Sequence, residues 1–331
     1  MADNPPDRPV AVITGATSGV GRATALAYAA RGWRVGLVAR GEDGLRATLA
    51  EVEHAGGEGM MLPADVADAG AVEAAATAVT ERWGAIDVWV NNAMVTVFSE
   101  VAALHPDEVR RVTEVTYLGA VYGTMAALKP MLARRRGVIV QVGSALAYRS
   151  IPLQAAYCGA KSALRGFTDS LRSELLRKKS PVRVTMVHLP AINTPQFDVA
   201  RSHTGQRPRP LGAIFQPELA ARAIVWAVEH RRRELWVGLP TEKAILANRI
   251  APGLLDRILA RIGFDGQQSP VAPAAADNLF SPLAGDRGAH GRFDAQSKKR
   301  SLHLWAATHS AAFYGGIALT AVLAFATLRR R

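Results

Sequence analysis

Cysteine is almost missing from this chain: Cys158 is the single one among 331 residues. An internal disulfide framework is therefore excluded, and a reducing compartment, the cytoplasm, is expected. Aromatic residues are scarce as well, at 6%. No zinc-finger spacing and no aromatic RNA-binding signature accompanies the basic residues, so nucleic acid is not an expected partner. The eight histidines show neither paired ligand spacing nor an acid–histidine cluster, and no metal site is expected. Residues 1–9 hold no apolar run; they read as a flexible lead rather than a secretory signal. No repeat of the solenoid kind is present.

What the chain does have is apolar content, 49%, and a net charge of +12. The first is enough for a sizeable core, and the second favours anionic partners such as phosphorylated cofactors or acidic lipid headgroups. The excess charge sits in clusters, Arg134-Arg135-Arg136, Arg177-Lys178-Lys179, Arg231-Arg232-Arg233, Lys298-Lys299-Arg300 and Arg329-Arg330-Arg331. Such runs usually read as solvated helix ends.

Short apolar runs alternate with helical spacing along the chain. Strands are expected near 10–13, 33–39, 59–62, 86–91, 138–142, 182–188 and 235–238. Helices are expected near 20–31, 45–54, 69–83, 107–133, 155–178 and 217–230. This alternation predicts an α/β domain over 10–262, a Rossmann-type doubly wound parallel sheet flanked by helices. Residues 263–300 are rich in Pro, Gly, Asp, Ser and Gln, and read as a loosely attached linker. The segment 301–331 closes the chain with an apolar tail helix. Its run 311–328 carries no charged residue over 18 positions, the lower edge of a bilayer span. A membrane anchor is the reading for it, against a helix packed on the domain or on a partner subunit.

The chemistry begins with Thr14-Gly15-Ala16-Thr17-Ser18-Gly19-Val20-Gly21. A pyrophosphate needs close access to backbone N–H groups and to a helix N-terminus, and glycines remove the side chains in its way. The pattern lies between an expected strand and an expected helix, the context that gives it meaning. At the end of the second strand stands Ala39-Arg40 where an NAD site would place an acid. Arg40 can offer a guanidinium fork to a 2′-phosphate, so NADP(H) is expected over NAD.

Tyr157 and Lys161 are four residues apart, on one face of an expected helix. A nearby ammonium favours phenolate and would bring tyrosine into the range of a working acid/base. Ser144 follows the strand 138–142, where its hydroxyl can bond the same substrate oxygen. Each element alone is weak; together, behind a nucleotide loop, they are specific.

With these motifs, and with Asp65 and Asn91-Asn92-Ala93, the chain resembles the short-chain dehydrogenase/reductase family over residues 8–240. The resemblance implies hydride transfer between NADP(H) and a carbonyl or alcohol. It implies that Asp65, with Val66 beside it, contacts adenine, and that Asn92 and Ala93 support sheet and cofactor. Lys161 would also hold the nicotinamide ribose, and Thr194 would meet the carboxamide. A homo-oligomer is a further implication. Three departures stand out: Met94 replaces a usual Gly, Thr116 replaces the usual fourth catalytic residue, Asn, and Leu189-Pro190 replaces Pro-Gly. Thr116 is expected to keep the backbone contact of that Asn, giving a weakened or rerouted proton relay rather than inactivity. The stretch 195–216 is the expected substrate lid, with Phe197, Ile214 and Phe215 as lining candidates. An apolar lid and tail point to a lipophilic small-molecule substrate. Two other function classes compete: a non-catalytic NADP-binding sensor and a membrane-tethered scaffold.

Overall fold

The computed structural model describes residues 8–309. Seven strands form one sheet: β1 Val10–Thr14, β2 Arg34–Ala39, β3 Glu58–Pro63, β4 Val88–Asn91, β5 Val138–Ser144, β6 Arg183–Leu189 and β7 Glu234–Trp236. Their spatial order is β7-β6-β5-β4-β1-β2-β3, and every pairing is parallel. Central strands such as β1 and β5 are buried at every position, which is why they read in sequence as unbroken apolar runs.

Helices cover both faces. Those of the first half are α1 Gly19–Ala29, α2 Glu42–His54, α3 Ala69–Trp83, α4 Pro106–Thr113 and α5 Gly119–Ala133. They are followed by α6 Ala155–Arg177, α7 Pro217–Glu229, α8 Leu239–Ile250, α9 Pro252–Ile262 and α10 Leu302–Thr308. Alternate residues of each strand point to opposite faces. Ala11, Ile13 and Leu37 pack with Tyr28, Leu45 and Ile224 from α1, α2 and α7. Val10, Val12 and Val38 face the other way, toward Val72 and Val79 of α3 and Leu171 of α6. The strand order reverses beside β1, and that places a crevice at the carboxyl ends of β1 and β4.

Two features differ from expectation. The helix expected over 107–133 is interrupted by a π turn, Glu114–Leu118, between α4 and α5. Thr116 fixes it: its Oγ1 donates to Val95 O at 3.0 Å and accepts from Val95 N at 3.1 Å. Gly119 then approaches Val66 so closely that a Cβ there would lie 2.6 Å from Val66 Cγ2.

The second difference is larger. Residues 263–300, expected as a loose linker, are docked on the domain. Leu279 is 0% exposed and joins the core on the α3–α6 side. Arg201 pairs with Asp277 at 2.9 Å, Arg111 donates to Leu279 O at 3.0 Å, and Asn278 N donates to Val199 O at 2.9 Å. Buried Arg22 of α1 pairs with both Glu51 and Asp286. A few apolar anchors and many backbone contacts thus hold a stretch whose composition is that of a linker. Residues 1–7 and the apolar run 311–328 lie outside the described residues. Among the described residues, no helix is long and apolar enough to cross a membrane.

Candidate active site

The loop after β1 is shaped by close approach. Gly15 has φ +67°, and a Cβ there would sit 2.8 Å from Ala93 Cα. At Gly21 a Cβ would fall 2.1 Å from Gly15 O, so the first turn of α1 lies directly on the loop. Asn92 clamps the loop to β4, its Nδ2 donating to Thr14 O at 2.9 Å and to Gly15 O at 3.3 Å. Thr14 Oγ1 accepts from the backbone N–H of both Asn92 and Ala93. The N-terminus of α1 has no acidic residue in its first turn, and Ser18 makes no side-chain cap. A helix N-terminus and its dipole are what a pyrophosphate requires, and Gly19 N–H, bonded to Gly288 O in this structure, is one of the donors there. The cradle therefore fits a dinucleotide.

A cavity of about 530 Å³ opens over the carboxyl ends of the strands. Gly15, Thr17, Ser18, Gly19, Val20, Arg40, Asp65, Val66, Asn92 and Ala93 line one end of it. Ser144, Tyr157, Lys161 and Thr194 line it as well. Of the catalytic and cofactor residues named from sequence, Gly21 and Thr116 do not. Gly21 packs beneath the loop, and the hydroxyl of Thr116 is spent in both directions on Val95. The expected part of Thr116 in a proton relay, which runs through its backbone, does not draw on this hydroxyl.

Ser144 ends β5 and accepts from Leu146 N at 3.1 Å. Its acceptor capacity is partly used, and its hydroxyl also bonds Tyr157. Lys161 is 3% exposed and donates to Val142 O at 2.7 Å. Burial brings its ammonium down from 10.5 to about 8. Its Nζ lies 5.6 Å from the centre of the Tyr157 ring, as the four-residue spacing on α6 predicts.

The tyrosine does not titrate as that spacing suggests. Burial pushes the Tyr157 phenol up, above its ordinary value near 10, while a hydrogen bond with Ser144 pulls it down by less. Desolvation outweighs that hydrogen bond. Tyr157 is thus held as the neutral phenol at physiological pH, the form that can donate a proton. Cys158 is buried, and burial raises its thiol, which leaves it unreactive.

Sequence reasoning missed several features. Arg40, expected to be free for a phosphate, donates to Asn278 O at 2.6 Å and to Phe280 O at 2.8 Å. Asp65 is paired with Arg111. Asn278, Pro282, Leu283, Gly285 and Arg287 of the 263–300 segment also line the cavity. The signal for them was faint: isolated Leu279, Phe280 and Phe293 in a polar stretch. The other end of the cavity is apolar, with Leu146, Ile151, Leu211, Leu255 and Leu259 among its walls. Of the expected lid residues, Phe197 lines the cavity, whereas Ile214 and Phe215 are buried in a short pairing with Ala191–Ile192.

Comparison with known proteins agrees with this geometry. A family model described as short chain dehydrogenase matches residues 9–205. An uncharacterised oxidoreductase of Bacillus subtilis, YxnA, is 34% identical over 285 residues, covering 84% of this chain and 80% of that protein. A fatty acyl-CoA reductase of Acinetobacter baylyi is 30% identical over 260 residues, covering 77% of this chain and 84% of its own length. Among solved structures, a metagenomic short-chain oxidoreductase in complex with NADP superposes with a TM-score of 0.59 at 29% identity, over 69% of this chain and 96% of that one.

Proposed function

The chain belongs to the short-chain dehydrogenase family, and we propose that it is an NADP(H)-dependent oxidoreductase that reduces a lipophilic carbonyl compound to its alcohol. The observation that carries this reading is one cavity in which the glycine loop, Tyr157, Lys161 and Ser144 meet.

Gly15, Thr17, Ser18, Gly19 and Val20 would hold the pyrophosphate, Asp65 and Val66 the adenine, and Lys161 and Thr194 the nicotinamide end. Arg40, where an acid would favour NAD, supports NADP(H), as does the NADP bound by the similar solved structure. The bound cofactor supplies the hydride. Tyr157, kept as phenol by burial, donates the proton to the carbonyl oxygen. Ser144 donates a hydrogen bond to that same oxygen and stabilises the charge it gains. Lys161, anchored on Val142 O, supplies positive charge beneath the tyrosine and favours the phenolate that proton transfer leaves.

The apolar end of the cavity supports a lipophilic substrate, and the likeness to a fatty acyl-CoA reductase is in keeping with it. A membrane surface is a suitable source. Leu246, Ile250, Leu254, Ile258 and Ile262 of α8 and α9 are exposed, Ile258 also lines the cavity, and Lys243, Arg249, Arg257 and Arg261 share the same hairpin. Co-sedimentation of the whole protein with anionic vesicles tests that contact; protein that stays in the supernatant at low salt argues against it. The activity itself is tested by NADPH consumption across aldehydes and ketones graded in chain length. The expected result is a kcat/KM that climbs with apolar length, and a preference for short polar carbonyls contradicts the substrate class.

A further inference from the structure

The segment 277–291 runs along the cofactor end of the cavity, which Asn278, Pro282, Leu283, Gly285 and Arg287 help to line. Its path is pinned. Leu279 is buried, and the carbonyls of Asn278 and Phe280 take up the Arg40 guanidinium. Pro282 lies against Gly41. Gly285 N donates to Asp43 Oδ2 at 3.0 Å, at the start of α2. Asp286 pairs with buried Arg22 on α1. Gly288 O accepts from Gly19 N at 3.3 Å, in the glycine loop itself. Gly291 is packed so tightly on Thr194 that a Cβ would come within 2.4 Å of Thr194 O.

Four cations line this cavity: Arg40, Arg149, Lys161 and Arg287. Arg40 is spent on two carbonyls of the segment, Arg149 on Asn248 and Asp256, and Lys161 on Val142 O. The Arg287 side chain makes no hydrogen bond or ion pair with the described residues. It stands one residue from Gly288, which touches the glycine loop, and two from Gly285, which bonds Asp43 at the start of α2, just past the end of β2. Those two places are where the pyrophosphate and an adenosine 2′-phosphate belong in this fold.

Resting on the dinucleotide reading above, we infer that the segment 277–291 is a strap forming the outer wall of the cofactor site, with Arg287 as its phosphate-binding residue. The strap lies beyond the residues matched by the family model, which end at 205. Arg40 then acts through the strap: it orients the chain that presents Arg287, and its own fork is engaged with backbone carbonyls. The Gly19–Gly288 contact gives way when a phosphate takes the Gly19 N–H, so the strap shifts as the cofactor enters.

The test titrates NADPH and NADH into the whole protein by nicotinamide fluorescence, for wild type, Arg287→Gln and Arg287→Lys. Losing one charge-assisted contact should weaken NADPH about tenfold or more in Arg287→Gln, and Arg287→Lys should recover part of that. Arg287 is exposed, so both variants should melt within a degree or so of wild type. Weakening of NADPH alone assigns Arg287 to the 2′-phosphate. Equal weakening of both nucleotides assigns it to the pyrophosphate. Either supports the inference, and unchanged binding of both overturns it while leaving the oxidoreductase reading intact. A wild type that binds neither nucleotide overturns both. Amide exchange gives an independent readout: NADPH should slow exchange across 277–291, and an unaltered rate there overturns the strap as part of the site.

Discussion

Replacing Lys161 by Met should make the protein inactive and, at neutral pH, more stable. The Lys161 ammonium is buried and donates to Val142 O, and its pKa falls from 10.5 to about 8. That gap corresponds to about 3 kcal/mol of unfavourable burial. Met fills a similar volume without charge, but leaves Val142 O without its donor, at about 1–2 kcal/mol. The net gain is about 1–2 kcal/mol, or a rise of a few degrees in Tm for a domain of this size. The pH dependence is more diagnostic, because the orphaned carbonyl does not titrate. Below about pH 8 the folded and unfolded chains both carry the ammonium, and the folded wild type bears the whole cost. Between about 8 and 10.5 the folded chain has shed its proton while the unfolded chain has not, so wild-type stability rises with pH. Urea unfolding followed by circular dichroism, at about pH 7 and about pH 10, should show the advantage of Lys161→Met shrinking by up to about 3 kcal/mol. A variant less stable than wild type at neutral pH, with a pH-independent difference, would refute the argument that burial of this charge strains the site.

Gly21→Ala should be among the most damaging single-methyl additions, since the new Cβ would meet Gly15 O at 2.1 Å and Asn92 Nδ2 at 2.5 Å. A loss of about 2–3 kcal/mol in thermal unfolding is expected, together with loss of NADPH binding, whereas unimpaired binding contradicts the packing of the loop. His188 lies buried behind Ser144, and burial lowers its pKa from 6.5 to about 4, against an opposing pull from Glu234. Its folded value is depressed, so the unfolded chain takes up a proton first and stability should fall as pH drops from about 6.5 to about 4, by up to about 3 kcal/mol. His188→Gln should flatten that portion of the profile in urea melts, and an equally steep decline in the variant rules the histidine out.

What was legible in the sequence was local. The central strands announced themselves because parallel strands buried on both faces are apolar, as in Val10–Thr14 and Val138–Ser144. The glycine loop and the Tyr157/Lys161 pair were legible because their geometry is set within a few residues of chain. The strap was not, because its contacts span long stretches: Arg22 meets Asp286 across 264 positions. Its polar composition carries the same signature as a free linker. The π turn was hidden too, since the apolar periodicity of 107–133 continues through it and the cause is a bond to Val95. The burial of the Tyr157 phenol was hidden for a similar reason: spacing reveals the neighbouring charge, and only the packed structure reveals the desolvation.

Tyr157→Phe tests the central claim most directly, because it removes one oxygen from the cavity wall and little else. NADPH oxidation with the best carbonyl substrate and NADPH binding would be measured on the same preparations of wild type and variant. The account predicts that turnover falls by about a hundredfold or more while NADPH affinity stays within about twofold. Turnover surviving at a comparable rate would show that the proton comes from elsewhere, and the assignment of the site to Tyr157 would fall.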